Sequence, residues 1–167
     1  MADISEDQEV KVAIETAETF VNTYYVTISK PHAIKEIPDF YVKPNPESPL
    51  KPDISLNGNL ISSPSDLEAV FEKQPPKTHY EVQSFDCHVL NRNYNVGVPD
   101  NVLEMNKHGR KMSIMVTVSG SVRYGDGADI QGFMDSLVLV PNWEAYGKPH
   151  KGKRRWLVQS QTFRLVL

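Results

Sequence analysis

Trp156-Leu-Val-Gln-Ser-Gln-Thr-Phe-Arg-Leu-Val-Leu167 reads as a β-strand whose apolar residues fall on both of its faces. Side chains alternate along a strand. Strict alternation puts Trp156, Val158 and Val166 on one face and Leu157, Phe163, Leu165 and Leu167 on the other. Both faces of such a strand need cover. One layer of helices covers one face of a sheet; the other needs more helices, a second sheet or another protein.

The segments before it repeat the pattern. Residues 131–141 set Phe133, Leu137 and Leu139 against Met134, Val138 and Val140. Residues 111–124 carry Met112, Ile114, Val116, Val118, Val122 and Tyr124 on one face. Met115 and Thr117 stand among Lys111, Ser113, Ser119, Ser121 and Arg123 on the other. Residues 78–90 place Phe85, Cys87 and Val89 opposite Tyr80, Val82 and Leu90. A polar stretch at 91–110 reads as an exposed excursion, long for a connection inside a domain. A second loop follows at 142–154. Strands joined by turns and loops without intervening helices imply antiparallel pairing.

Upstream the period changes from two to three and four. Ser5 with Gln8 three positions on forms a capping box, and Glu6, Asp7 and Glu9 suit the positive end of a helix. Val10, Ala13, Ile14, Ala17, Phe20, Val21, Tyr24 and Ile28 make an apolar stripe over 5–28. Pro31 starts a short second helix that stops at Pro38, and Phe40-Tyr-Val42 reads as a short strand. Pro44, Pro46, Pro49 and Pro52 mark a loop over 43–54. Asn57-Gly58 is a hairpin turn. Ser63-Pro64, with Asp66 beyond, opens a third helix that ends before Pro75-Pro76. The whole is an α+β chain, one domain over 1–167, with helices layered on a curved sheet.

Composition sets bounds. The chain has 167 residues, is 40% apolar and 23% charged, and carries a net charge of −3, the mixture of a globular protein. Leu137-Val-Leu-Val140 is far shorter than the roughly 20 apolar residues of a bilayer span, so no membrane partner is expected. The acidic opening Met1-Ala-Asp-Ile-Ser-Glu-Asp7 lacks a secretory signal pattern. A lone cysteine, Cys87, excludes an internal disulfide and fits a reducing compartment.

Motifs of high specificity are missing: no phosphate loop, no dinucleotide fingerprint, no paired cysteines and no zinc helix. Gly125-Asp-Gly-Ala-Asp129 lacks the acids of a calcium loop and reads as a turn. No cofactor or metal is expected. Asp86 and His88 point to the same side of one strand, where an orienter and base near Asp135 or Tyr24 would suit an isomerase or dehydratase pocket. The same two residues fit an exposed or partner-facing side equally well. Lys148, Lys151, Lys153, Arg154 and Arg155 cluster without an acid between them, a loop that would contact backbone phosphate without reading bases.

The order of elements resembles the nuclear transport factor 2 family: a long first helix, a short helix and strand at 31–41, Asn57-Gly58 before a third helix, then four strands. Arg155-Trp-Leu-Val-Gln-Ser-Gln-Thr-Phe-Arg-Leu165 is similar to the family's terminal strand, and Phe133-Met-Asp-Ser-Leu-Val-Leu139 to the strand before it. The resemblance implies a cone of N-terminal helices on a strongly curved antiparallel sheet. The long excursion and the loop at 142–154 are most similar to the branch of small subunits of heterodimeric mRNA export receptors. That likeness implies a subunit without catalysis, whose sheet face packs on the related domain of the large subunit. Asp86, His88, Met115, Thr117, Asp135 and Arg164 are the residues it would place at that interface. It further implies residence in the nucleus and at the nuclear pore, shuttling to the cytoplasm, and a share in large ribosomal subunit export. Contacts with nucleoporin Phe-Gly repeats and with RNA through the basic loop would accompany these. A homodimeric carrier of Ran-GDP is the other non-enzymatic reading.

Overall fold

A computed structural model of the chain describes residues 4–46, 48–100, 109–145 and 154–166. Helix α1 spans Glu6–Ile28. Its N-terminus is closed as the local chemistry requires: the Gln8 N–H donates to Ser5 Oγ at 3.3 Å and the Ser5 N–H to Gln8 Oε1 at 3.4 Å. Two of the helix's orphan donors are thereby satisfied. Ala13, Ala17, Phe20, Val21, Tyr24 and Ile28 are buried, but Val10 and Ile14 of the expected stripe are exposed. Glu9 and Thr16 are buried in their place. The first turns are rotated because Glu9 turns inward to meet Arg92 from the 91–110 excursion. A 3-10 helix at Pro31–Phe40 follows, and the expected strand at 40–42 shrinks to a single bridge from Tyr41 to Val158. Helix α2, Pro64–Glu72, is capped by Ser63, whose Oγ accepts the Asp66 N–H at 3.2 Å.

The strands are β1 (Asp53–Leu56), β2 (Asn59–Ile61), β3 (His79–Asn91), β4 (Ser113–Arg123), β5 (Ile130–Pro141) and β6 (Trp156–Val166). They form one sheet in the order β2-β1-β6-β5-β4-β3. Pairing from β3 through β6 is antiparallel. The sheet as a whole is mixed rather than antiparallel, because β1 runs parallel to β6. The turn at Asn57-Gly58, both with positive φ, closes the β1–β2 hairpin and also reaches β6. The Asn57 N–H donates to the Phe163 carbonyl and Asn57 Oδ1 accepts the Leu165 N–H, each at 2.8 Å. A parallel neighbour is thus fastened past the end of its own ladder.

Three bulges overturn the strict alternation expected of β3 and β6. Val138 pairs with Ser160 and Leu139 with Val158, so Gln159 is left over. A bulge inserts one residue and flips the faces beyond it. Trp156 and Val158 therefore join Phe163 and Leu165 at the core, rather than opposing them. In β3, Gln83 is left over between the Val82 and Ser84 pairs and Leu90 between the Val89 and Asn91 pairs. Tyr80 and Val82 consequently share the face of Phe85, Cys87 and Val89, contrary to the alternating reading.

The core lies between the helices and the inner face of the sheet. Tyr24, Tyr25, Phe40, Tyr80, Phe133 and Phe163 fill it together with the aliphatics of β4 and β5. Phe133 stacks on Phe163 at 5.3 Å and on Tyr25 at 5.5 Å, in the offset geometry aromatic rings prefer. No described helix is long and apolar enough to cross a membrane. The excursion is not wholly exposed: Tyr94 is buried, its N–H donates to the Lys111 carbonyl at 2.9 Å, and Gly109 packs close to Ile4 and Val12.

Candidate functional site: the open sheet face

Helices cover one face of the sheet. On the other, register brings side chains into rows across the strands, because directly paired residues point the same way. One row is Asp86 on β3, Thr117 on β4, Ser136 on β5 and Thr162 on β6. The next is His88, Met115, Val138 and Ser160. A third holds Ser84, Ser119, Met134 and Arg164. Met115 and Thr117 are half-buried; Met134, Ser136, Thr162 and Arg164 are exposed. The surface is hydroxyl-rich with two methionines and a valine, and one end of it is closed. There Val42, Tyr94 and Val140 form a second small core with Val138, Trp143 and Leu157. Trp143 Nε1 donates to the Val96 carbonyl at 2.8 Å, tying the loop after β5 to the excursion.

Of the six residues read from the sequence as partner-facing, Asp86, His88, Met115, Thr117 and Arg164 share this face. Asp135 does not. Its side chain is 0% exposed and points to the helices, where Tyr25 and Gln161 donate to Oδ2 at 2.7 and 2.9 Å. The alternation of β5 already contained this signal, since Asp135 has the parity of Phe133, Leu137 and Leu139. Burial pushes its carboxyl up to about 7, against the lowering effect of the Tyr25 and Gln161 hydrogen bonds. Tyr24 and Tyr41 extend the network. Their hydroxyls lie 2.8 Å apart, Tyr41 donates to Gln161 Oε1, and burial raises both phenols above their ordinary range. Tyr25, Tyr41 and Gln161 are residues that the sequence reading did not single out as polar partners; it named Tyr24, but beside Asp86 and His88.

The pocket-enzyme arrangement is contradicted for its named dyad. Asp86 and His88 do pair, with Nε2 and Oδ2 at 3.2 Å, but their side chains are 74% and 65% exposed. They face away from Asp135 and Tyr24, with the sheet between. At that exposure the pair is open to water, whereas a catalytic imidazole works beside a substrate in a site that excludes it. Among the described residues no group of three or more His, Cys, Asp or Glu side chains could hold a metal ion.

The basic cluster divides. Lys148, Lys151 and Lys153 lie outside the described residues. Arg155 is exposed, whereas Arg154 lies over the Phe40 ring at 3.5 Å. Burial lowers the Arg154 pKa, and the nearby Glu36 and Asp39 oppose that. Arg154 is thus held by its own chain through a cation–π contact. It lines two grooves. One, of about 410 Å³, includes Tyr94, Trp143 and Leu157. The other, of about 770 Å³, runs between α1 and the 3-10 helix past Phe20, Phe40 and Trp156.

No family model matches the sequence, and no curated protein matches it. Solved structures do. The chain is similar to one in the structure of a Sac3N peptide bound to Mex67:Mtr2, at 29% identity and TM-score 0.81, covering 95% of this chain and 99% of that one. It is similar to one in the Chaetomium thermophilum Mex67 NTF2-like domain complexed with Mtr2, at 28% identity and TM-score 0.80 over the same shares. Mtr2 itself gives 26% identity and TM-score 0.77, again over 95% and 99%. The chain therefore has the nuclear transport factor 2-like fold and resembles Mtr2 over nearly its whole length.

Proposed function

We propose that this chain is the non-catalytic small subunit of a heterodimer whose larger member presents a nuclear transport factor 2-like domain to the open sheet face. In the structures it resembles, Mtr2 is bound to Mex67. The observation that carries the proposal is the composition of the open face. Met115, Val138 and Met134 supply apolar area at its centre, while Thr117, Ser136 and Thr162 supply hydrogen-bonding groups in a flat row. Such a mixture suits an interface in which apolar contact gives affinity and polar groups set register. Asp86 with His88 at one margin and Arg164 at another add charge that a partner sheet would have to match. The role assigned to that heterodimer is export of messenger ribonucleoprotein through nuclear pores, with shuttling between nucleus and cytoplasm. Large ribosomal subunit export, contact with Phe-Gly repeats, and phosphate contact by Arg155 with Lys148, Lys151 and Lys153 belong to the same reading. Arg154 is engaged with Phe40 and contributes less to such contact.

The test is mass measurement by light scattering of the purified chain alone and mixed with the Mex67 NTF2-like domain. A one-to-one complex that Met115→Asp abolishes is the expected result. A monomer indifferent to that domain overturns the proposal. A stable homodimer that binds Ran-GDP would instead favour the carrier reading.

A further inference from the structure

We infer that Asp135 is a neutral carboxylic acid in the folded chain, at the meeting point of α1 and the sheet, and that the fold loses stability when its proton leaves. Asp135 sits in the middle of β5, between Val118 of β4 and Phe163 of β6. Its side chain is fully buried. Oδ2 accepts two hydrogen bonds, from the Tyr25 hydroxyl and Gln161 Nε2, while Oδ1 has no partner.

A buried carboxylate persists when a cation pairs with it or when several donors share its charge. Neither condition is met. The titratable groups that bear on Asp135 are all phenols: Tyr24 and Tyr25 from α1, Tyr41 from the segment after the 3-10 helix, and Tyr80 from β3. Strand β4 contributes Val118, and β6 contributes Gln161 and Phe163, none of which titrates. Among the described residues no cation forms an ion pair with Asp135. Burial raises all four phenols, so they stay protonated through the range in which Asp135 titrates. Both donors to the carboxyl act on one oxygen. The other is buried without a partner, where an O–H is tolerated far better than an anionic oxygen.

The carboxyl lies at a structural junction. Tyr25 donates to Asp135 and stacks on Phe133, which stacks on Phe163. One helix and two strands therefore meet at the carboxyl. Ionisation there leaves Oδ1 buried without a donor, and although Tyr25 and Gln161 bond the anion at Oδ2, that cost falls on the folded state. The direction of the pH effect follows. The folded value, about 7, lies above the unfolded value of about 3.9. The protonated carboxyl contributes fully below the unfolded value. Its contribution falls as pH rises between the two, by up to about tenfold in the folding constant per pH unit, and levels off above the folded value.

The experiment is infrared spectroscopy of the full chain with carbon-13-labelled aspartate, paired with denaturant titrations from about pH 5 to pH 8. The expected spectrum has the carbonyl band of a protonated aspartic acid near pH 6, weakening toward pH 8 and absent in Asp135→Asn. Stability of the unaltered chain should fall relative to Asp135→Asn as pH rises to 7. Tyr25→Phe removes a donor that favours the anion, so its band should persist to higher pH. Should Asp135→Asn not fold, the unaltered chain and Tyr25→Phe decide the matter. Absence of the band at pH 6, or the same pH slope with and without the carboxyl, overturns the inference.

Discussion

Arg92 Nε donates to both carboxylate oxygens of Glu9, each at 2.9 Å, joining the start of the long excursion to the first turns of α1. The Glu9 side chain is almost wholly buried while Arg92 is mostly exposed. The pair therefore joins a desolvated anion to a cation that keeps much of its hydration. This contact explains why the helix buries Glu9 where its apolar pattern would place Val10. Removing the cation leaves a buried charge unmatched, the costlier way to break such a pair. Arg92→Ala should destabilise the chain by about 1–2 kcal/mol after allowance for the exposure of the arginine. Denaturant titration reads the loss. Proteolysis should show faster cleavage between β3 and β4.

At the other end of the sheet, Asn57 combines a φ of 51° with a side-chain bond to the Leu165 N–H. The two effects separate by substitution. Asn57→Gly keeps the left-handed backbone and loses only the bond, about 1 kcal/mol. Asn57→Ala loses the bond and adds strain, for roughly 2 kcal/mol in total. A larger loss for Gly than for Ala in thermal denaturation would contradict this account.

Gly120 lies where β3 bulges toward β4. A Cβ there would stand 2.2 Å from the Glu81 carbonyl oxygen and 2.8 Å from the Phe133 ring. Backbone and a stacked core ring cannot both yield. Gly120→Ala should cost more than about 3 kcal/mol, the upper part of the overpacking range. Far-ultraviolet circular dichroism during denaturant titration measures it.

Neighbouring residues of β4 test the two faces directly. Val116→Asp places a charge in the core and should abolish folding. Met115→Asp, one residue away on the open face, should leave stability within roughly 0.5 kcal/mol, as for surface sites, while removing partner binding. Equal loss of stability in both variants would show that the Met115 face is core.

Much of the architecture is legible locally. Ser5, Gln8 and Ser63 announce helix starts because a capping side chain bonds amides three positions away. Asn57-Gly58 announces its turn because both residues tolerate positive φ. The period of β4 and β5 separates core from open face, and it assigns Met115, Thr117 and Met134 without reference to any other element. Read to the end, the same period assigns Asp135 to the core; its charge argued otherwise.

Facing in β3 and β6 was not legible, because leftover residues at Gln83, Leu90 and Gln159 shift the period, and only the neighbouring strands decide where a bulge falls. The chain by itself determined the helix starts, the Asn57-Gly58 turn and the facing of β4 and β5, and it implied that one sheet face would lack cover within it. Tertiary structure decided which side of the terminal strand is that face, that β1 runs parallel beside it, and that a carboxyl in mid-strand lies among tyrosines. The last two depend on residues more than a hundred positions apart, as Asn57 is from Leu165 and Tyr25 from Asp135. Propensity and spacing act over a few residues, whereas register and burial are set by whatever the fold brings alongside.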